Sequence, residues 1–403
     1  MSVSERFLKY VSFGTNSDEE SESCPSSASQ KVLGEYLAAE LKEIGLSGVE
    51  MDKDGYVYGY IPATKGFENK KTVGFIAHMD TSPDVCGDNI KPRQFFYEGG
   101  DIKLSDSVTT KVKDFPFLEK YKGQTLIVTD GTTLLGADDK AGVAEIFESC
   151  DRIIKSDIPH GKIPVCITPD EEIGRGADRF DIKRFGADWA YTIDGGELGE
   201  IEYENFNAAS AKITVHGVNI HPGSAKDKMK NASLMAINFV NMLPANETPS
   251  HTEGYEGFYH LNSISGDETL AKMNFIIRDH DMEKFLARKK FFKDAVDYLN
   301  GVYGEGTFEL AMRDSYYNMR EKILPHMHII DSAKKAMTDA GVTPLVVAIR
   351  GGTDGARLSF EGLPCPNLSV GGGNFHGIHE FVSVDAMEKM VEVIINLIKE
   401  QAE

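Results

Sequence analysis

Between Ala211 and Met312 the chain reads strand, helix, strand, strand, helix, strand, whereas on either side of that run single strands alternate with helices. Few folds accommodate both patterns. The elements are Ala211 to Val215, Ala232 to Met242, Phe258 to Ile264, Leu270 to Ile277, Met282 to Leu299 and Thr307 to Met312, with Ser265-Gly266-Asp267 turning between the two central strands. That order is the split βαβ arrangement of a ferredoxin-like α+β module. Outside it, apolar residues at helical spacing fall at Lys31 to Ile44, Gly142 to Ile154, Ile329 to Ala340 and Val384 to Lys399. Strand-like runs fall at Tyr56 to Ile61, Val73 to His78, Leu126 to Val128, Ile163 to Thr168, Trp189 to Ile193 and Leu345 to Ile349. Alternation of this kind implies α/β architecture, a mostly parallel sheet flanked by helices. The expected division is an outer domain of residues 1–205 and 316–403 with an inserted domain of residues 206–315. At 403 residues, two cores are the default. Asp84 to Lys122, rich in Pro, Gly and charge, reads as loop and hairpin.

The chemistry-bearing residues cluster at element ends. Val73 to Asp80 delivers His78 and Asp80, two residues apart and on one side of a strand, where that strand enters a loop. Asp138-Asp139 stand just before a helix, Asp170-Glu171-Glu172 follow the strand Val165 to Thr168, Asp194 follows Tyr191-Thr192-Ile193, and His376 lies in a glycine-rich loop before the last helix. Each has an ordinary explanation alone: a helix cap, a solvated acidic face, turn chemistry or a loop histidine. Ligands of open α/β sheets gather at the carboxyl ends of strands, and the convergence of these clusters there points to a metal site.

Composition excludes much else. Lys and Arg total 43 against 63 Asp and Glu, a formal net charge of −20, which argues against a nucleic-acid or anionic-membrane partner, since both need basic surface. The five cysteines are scattered and contain no CxxC pair, so neither a disulfide framework nor a zinc-thiolate site is expected. No apolar stretch reaches transmembrane length, and a cytoplasmic location is expected. The glycine-rich loops at Gly351 to Gly355 and Gly371 to Gly377 lack phosphate-cradling spacing. A thiol hydrolase built on Cys86 or Cys166 would need an electropositive niche, and Asp84 and Asp88 argue against one near Cys86.

Longer motifs then narrow the field. IAHMDTSPD at Ile76 to Asp84, TDGTTLLGADDKAG at Thr129 to Gly142 and TPDEEIGRGAD at Thr168 to Asp178 resemble the M20 family of dinuclear zinc peptidases, its tripeptide aminopeptidases above all. So do HGVNIHPGSAK at His216 to Lys226, RGGTDGARLSF at Arg350 to Phe360 and HGIHEF at His376 to Phe381. The resemblance implies two Zn2+ per subunit, with Mn2+ or Co2+ as acceptable substitutes, bridged by Asp139. His78 and Asp194 would complete one metal's ligands, Glu172 and His376 the other's; this imidazole and carboxylate set without thiolate suits catalytic zinc. Asp80 would orient His78, and Glu171 would be the general base that activates a metal-bridging water. The inserted domain would act as lid and dimerisation domain. His221 would reach the other subunit's site in a homodimer, Arg278 would grip the substrate's carboxylate, and Arg350 would contact substrate or only brace its loop. The implied activity is release of the N-terminal residue from tripeptides. A dipeptidase or an N-acyl amino acid deacylase with the same metal ligands is the alternative. A non-catalytic peptide binder would have lost Glu171 or a ligand, and none is missing.

Overall fold

A computed structural model describes residues 1–402 and divides the chain into two compact units. The first comprises Met1–Tyr203, Glu321–Val347 and the chain from Thr353 onward; the second comprises Glu204–Arg320 and Ala348–Gly352.

The first unit is built on a mixed sheet of eight strands. Their order is Ser47–Met51, Val57–Ile61, Ile163–Thr168, Val73–His78, Trp189–Gly195, Asn367–Ser369, Glu200–Asn205 and Leu345–Ile349. The centre is parallel: Val73–His78 pairs in parallel with Ile163–Thr168 and Trp189–Gly195, and Asn367–Ser369 with Trp189–Gly195. Antiparallel pairs flank that centre on both sides. The expected mostly parallel sheet is thus corrected to a mixed one. One of these pairs is local: Ser47–Met51 forms a hairpin with Val57–Ile61, and a two-stranded hairpin is necessarily antiparallel. The central strands Val73–His78 and Ile163–Thr168 are buried along their whole length, as strands covered on both faces must be.

The helix Ala137–Ile154 packs hard against this centre. A Cβ on Gly142 would come within 2.0 Å of the Ile193 carbonyl oxygen and 2.4 Å of an Asp139 carboxylate oxygen, so only glycine permits the approach. The first helix, Val3–Tyr10, opens with a capping box in which Ser2 and Glu5 satisfy each other's backbone N–H groups. Within Asp84 to Lys122 the structure forms short strands at Arg93–Phe96, Ile102–Lys103 and Thr109–Thr110, with a 3-10 turn at Pro116–Tyr121. Leu118, Leu126, Val128 and Phe381 build a small separate core beneath them.

The second unit is one antiparallel sheet in the order Phe258–Gly266, Leu270–Asp279, Asn207–His216, Phe308–Tyr316. The helices Ala232–Val240 and Met282–Tyr303 cover one face, and Phe239, Phe275, Phe285 and Phe292 form its core. Placing the first strand of the module between its third and fourth is the ferredoxin-like order.

Candidate metal centre

At the carboxyl ends of the central strands, the structure assembles a buried group of imidazoles and carboxylates. His78 ends its strand with only 2% of its surface exposed. Its Nε2 lies 2.9 Å from Asp138 Oδ1 and 3.3 Å from Asp194 Oδ1. His376 Nε2 lies 2.8 Å from Glu172 Oε2 and 3.3 Å from Asp138 Oδ2. The two histidines therefore face opposite oxygens of a single carboxylate, each with one further acid of its own.

That carboxylate belongs to Asp138, not to Asp139, the expected bridge. Asp139 turns away: Oδ2 accepts the His78 backbone N–H at 3.1 Å and Oδ1 the Gly142 N–H at 3.2 Å. Its carboxyl still falls within ligand reach of His78 and Asp194. Both aspartates have non-helical backbone angles, and the peptide between them is cis, so the periodic helix begins only after them. Adjacent aspartates look equivalent in sequence, and only main-chain geometry decides which one faces the imidazoles.

The remaining acids hold this arrangement. Asp80 is fully buried and takes four contacts: His78 Nδ1 at 3.3 Å, the Glu171 and Glu172 N–H groups at 3.1 Å each, and the Ser17 hydroxyl. His78 Nδ1 also meets the Asp80 backbone carbonyl at 3.1 Å, and the carboxylate ties down the turn that carries the two glutamates. Asp170 adopts positive φ and is clamped by the Ser26 N–H at 2.7 Å, the Ser26 hydroxyl and the Gln30 amide. Asp84 Oδ2 stands 3.3 Å from His376 Nδ1, so each imidazole has a carboxylate behind it. The roles of Asp138, Asp170 and Asp84 were not read from sequence. Asp84 had a visible signal, since it closes the same motif as His78.

The electrostatics of the group ask for a cation. Burial, with Asp194 nearby, lifts Glu171 well above the carboxylate range. Burial and Asp138 lift Glu172 to about 8, and burial raises Asp194 to about 6 and Asp354 to about 7. Burial alone would depress His78, yet Asp194, Asp138 and Asp80 hold it well above the usual imidazole range. Glu172 Oε1 is buried without any hydrogen-bond partner. Ligand atoms of His78, Asp139 and Asp194, and of His78, Asp138 and Glu172, lie within 4.8 Å of one another. Crowded acids, an orphaned carboxylate oxygen and two imidazoles on one carboxylate are a donor set that divalent metals fit.

The three expected substrate contacts all lie in the second unit. His221 sits on an exposed loop, with Nδ1 accepting the Gly223 N–H at 3.2 Å. Arg278 gives one N–H to the Arg350 carbonyl at 2.9 Å, and its Nε is buried without a partner. Arg350 is fully engaged: it donates to the carbonyls of Gly254, Glu256 and Thr252 and packs over Phe206. It braces the 252–256 loop through carbonyl oxygens, not through ion pairs.

Residues 203–307 match the peptidase dimerisation domain of the M20 peptidases. The chain is 56% identical to peptidase T of Caldanaerobacter subterraneus subsp. tengcongensis over 98% of each sequence. To peptidase T of Clostridium acetobutylicum it is 55% identical, over 100% of this chain and 99% of that one. Among solved structures, aminopeptidase PepT of Bacillus cereus superposes with a TM-score of 0.77 at 25% identity, covering 100% of this chain and 98% of that one. A Staphylococcus aureus tripeptidase gives 0.79 at 22% identity, over 99% and 98%, which speaks to the fold. With identity above one half sustained from end to end, the chain belongs to the peptidase T family of M20 peptidases.

Proposed function

We propose that this protein is a metal-dependent aminopeptidase that releases the N-terminal residue of tripeptides. The observation that carries the reading is the pair of imidazoles facing opposite oxygens of Asp138, with Asp194 and Glu172 completing two ligand sets. The peptidase T name of its full-length relatives supports the substrate class. We assign the metal ligands as His78, Asp138, Asp194, Glu172 and His376, with two zinc ions as the resident pair. When bound, such ions polarise the scissile carbonyl and acidify the attacking water.

The chain supplies the rest. Glu171, next in sequence to the assigned ligand Glu172, takes the water's proton on its carboxylate and passes it to the leaving amine nitrogen. Asp80 keeps this glutamate in place by holding its backbone N–H, and fixes His78 at the same time. Arg278, its guanidinium steadied by the Arg350 carbonyl, holds the C-terminal carboxylate of the peptide. His221 serves the neighbouring subunit of a homodimer. Support for that assembly comes from the dimerisation-domain match and from the exposed edge strand Phe258–Gly266, with Leu234 and Ile237 also exposed. No helix among the described residues is long and apolar enough to cross a membrane, and we place the enzyme in the cytoplasm.

The test is hydrolysis of one free tripeptide and its N-acetylated twin by the zinc-loaded protein, with Glu171→Ala alongside. Cleavage of the free peptide only, lost in the variant, is expected. Preference for the acetylated peptide would refute the aminopeptidase reading.

A further inference from the structure

Glu380 ends the motif that contains His376, yet its side chain reaches a different segment. It is 1% exposed, and its two oxygens accept four consecutive backbone N–H groups. Oε2 takes Leu135 at 2.5 Å and Gly136 at 2.9 Å; Oε1 takes Ala137 at 2.7 Å and Asp138 at 3.2 Å. This is the turn that presents the Asp138 carboxylate to both imidazoles, and Gly136 within it has φ of +78°. Four N–H groups converging on one point need an acceptor with about four lone-pair sites, which an ionised carboxylate has and an amide does not. Left unpaired and buried, they would drive the turn to another conformation.

Resting on the metallopeptidase reading above, we propose that Glu380 is a positioning residue for the metal pair. Through its clamp on Leu135 to Asp138, it fixes the Asp138 carboxylate relative to His376, four residues before it in the same loop. The loop that brings one ligand therefore also sets the orientation of the ligand shared by both metals. A Glu380→Gln side chain has the same shape, but one end becomes an NH2 group directed at two N–H donors, so two of the four hydrogen bonds are lost.

The experiment loads apo-protein with Co2+ and measures affinity by chelator competition, together with the visible d–d spectrum of the bound ions. Apo-state urea unfolding is followed in parallel. E380Q is expected to bind cobalt about 10–100-fold more weakly, the usual consequence of losing a group that orients ligands, with an altered d–d spectrum. A merely structural role would lower the unfolding midpoint and leave affinity and spectrum unchanged, which would overturn the proposal. Should E380Q fail to fold, Glu380→Asp carries the test: it keeps both oxygens on a shorter arm. Weakened cobalt binding by that variant supports the clamp, and native affinity overturns it. Failure of the native protein to bind cobalt would overturn the metallopeptidase reading itself, whereas native binding matched by E380Q removes only the role of Glu380.

Discussion

Arg6 offers the sharpest test of how the first unit is held together. It is 2% exposed and faces three carboxylates: Glu40 at 2.8 Å, Glu148, and Asp151 at 3.3 Å. Replacing it by alanine does not strand all three equally. Glu148 keeps Arg152 at 2.7 Å, and Asp151 keeps Lys155 at 2.7 Å. Glu40, 4% exposed, is left with only the Tyr10 hydroxyl at 2.9 Å. The loss is therefore that of one uncompensated buried charge, about 3–5 kcal/mol, and not three times that. With a urea m-value of roughly 3 kcal/mol/M, the midpoint should fall by about 1–1.7 M. Trp189 is the only tryptophan and lies buried in the same unit, so its fluorescence follows the relevant transition. Adding Glu40→Gln removes the stranded charge, and the double variant should recover about 2–3 kcal/mol relative to additivity. A loss below about 1 kcal/mol for Arg6→Ala, or strict additivity in the cycle, would refute the reasoning.

Three further outcomes are expected. Glu145 is buried with neither carboxylate oxygen hydrogen-bonded, and burial holds its proton well above the usual range. Since the folded state keeps a proton that the unfolded chain releases near pH ~4.3, native stability falls as pH rises through that window. Glu145→Leu should therefore be more stable than the native protein at pH 8, with the advantage shrinking toward pH 4; a gap independent of pH would contradict this. Asp80→Asn should weaken metal binding by about 10–100-fold and lower kcat, measured by chelator competition and tripeptide turnover; native affinity would mean that Asp80 does not orient His78. Arg278→Ala should raise KM for a free tripeptide at least tenfold, whereas Arg350→Ala should chiefly speed proteolytic nicking of the 252–256 loop. The reverse pattern would exchange the two roles.

The parts legible in advance were those with strong periodicity or long motifs. Val73–His78 and Ile163–Thr168 are continuous apolar runs between polar residues, and the inserted module repeats clear strand and helix patterns. Ser47–Met51 was missed because it is five residues long and alternates only between half-buried and exposed positions, with a glycine among them. Val3–Tyr10 was missed although Ser2 and Glu5 spell a capping box, because eight residues give periodicity little room. At the site, the residue types and element ends were visible, but the choice between Asp138 and Asp139 depends on backbone angles that no spacing encodes. The clamps formed by Asp170 and Glu380 pair residues far apart in the chain, and only the folded sheet brings them together.

The order of the ligands along the chain has a consequence during synthesis. His78, Asp138, Glu172 and Asp194 leave the ribosome first, and His376 follows only after about 180 further residues that include the whole second unit. At roughly 5–20 residues per second, a nascent chain spends on the order of 10–40 s with an acidic half-site and no second imidazole. A divalent ion captured in that interval would be held by an incomplete set and would exchange readily. On the ligand assignment proposed above, the complete set would exist only once this last loop has closed.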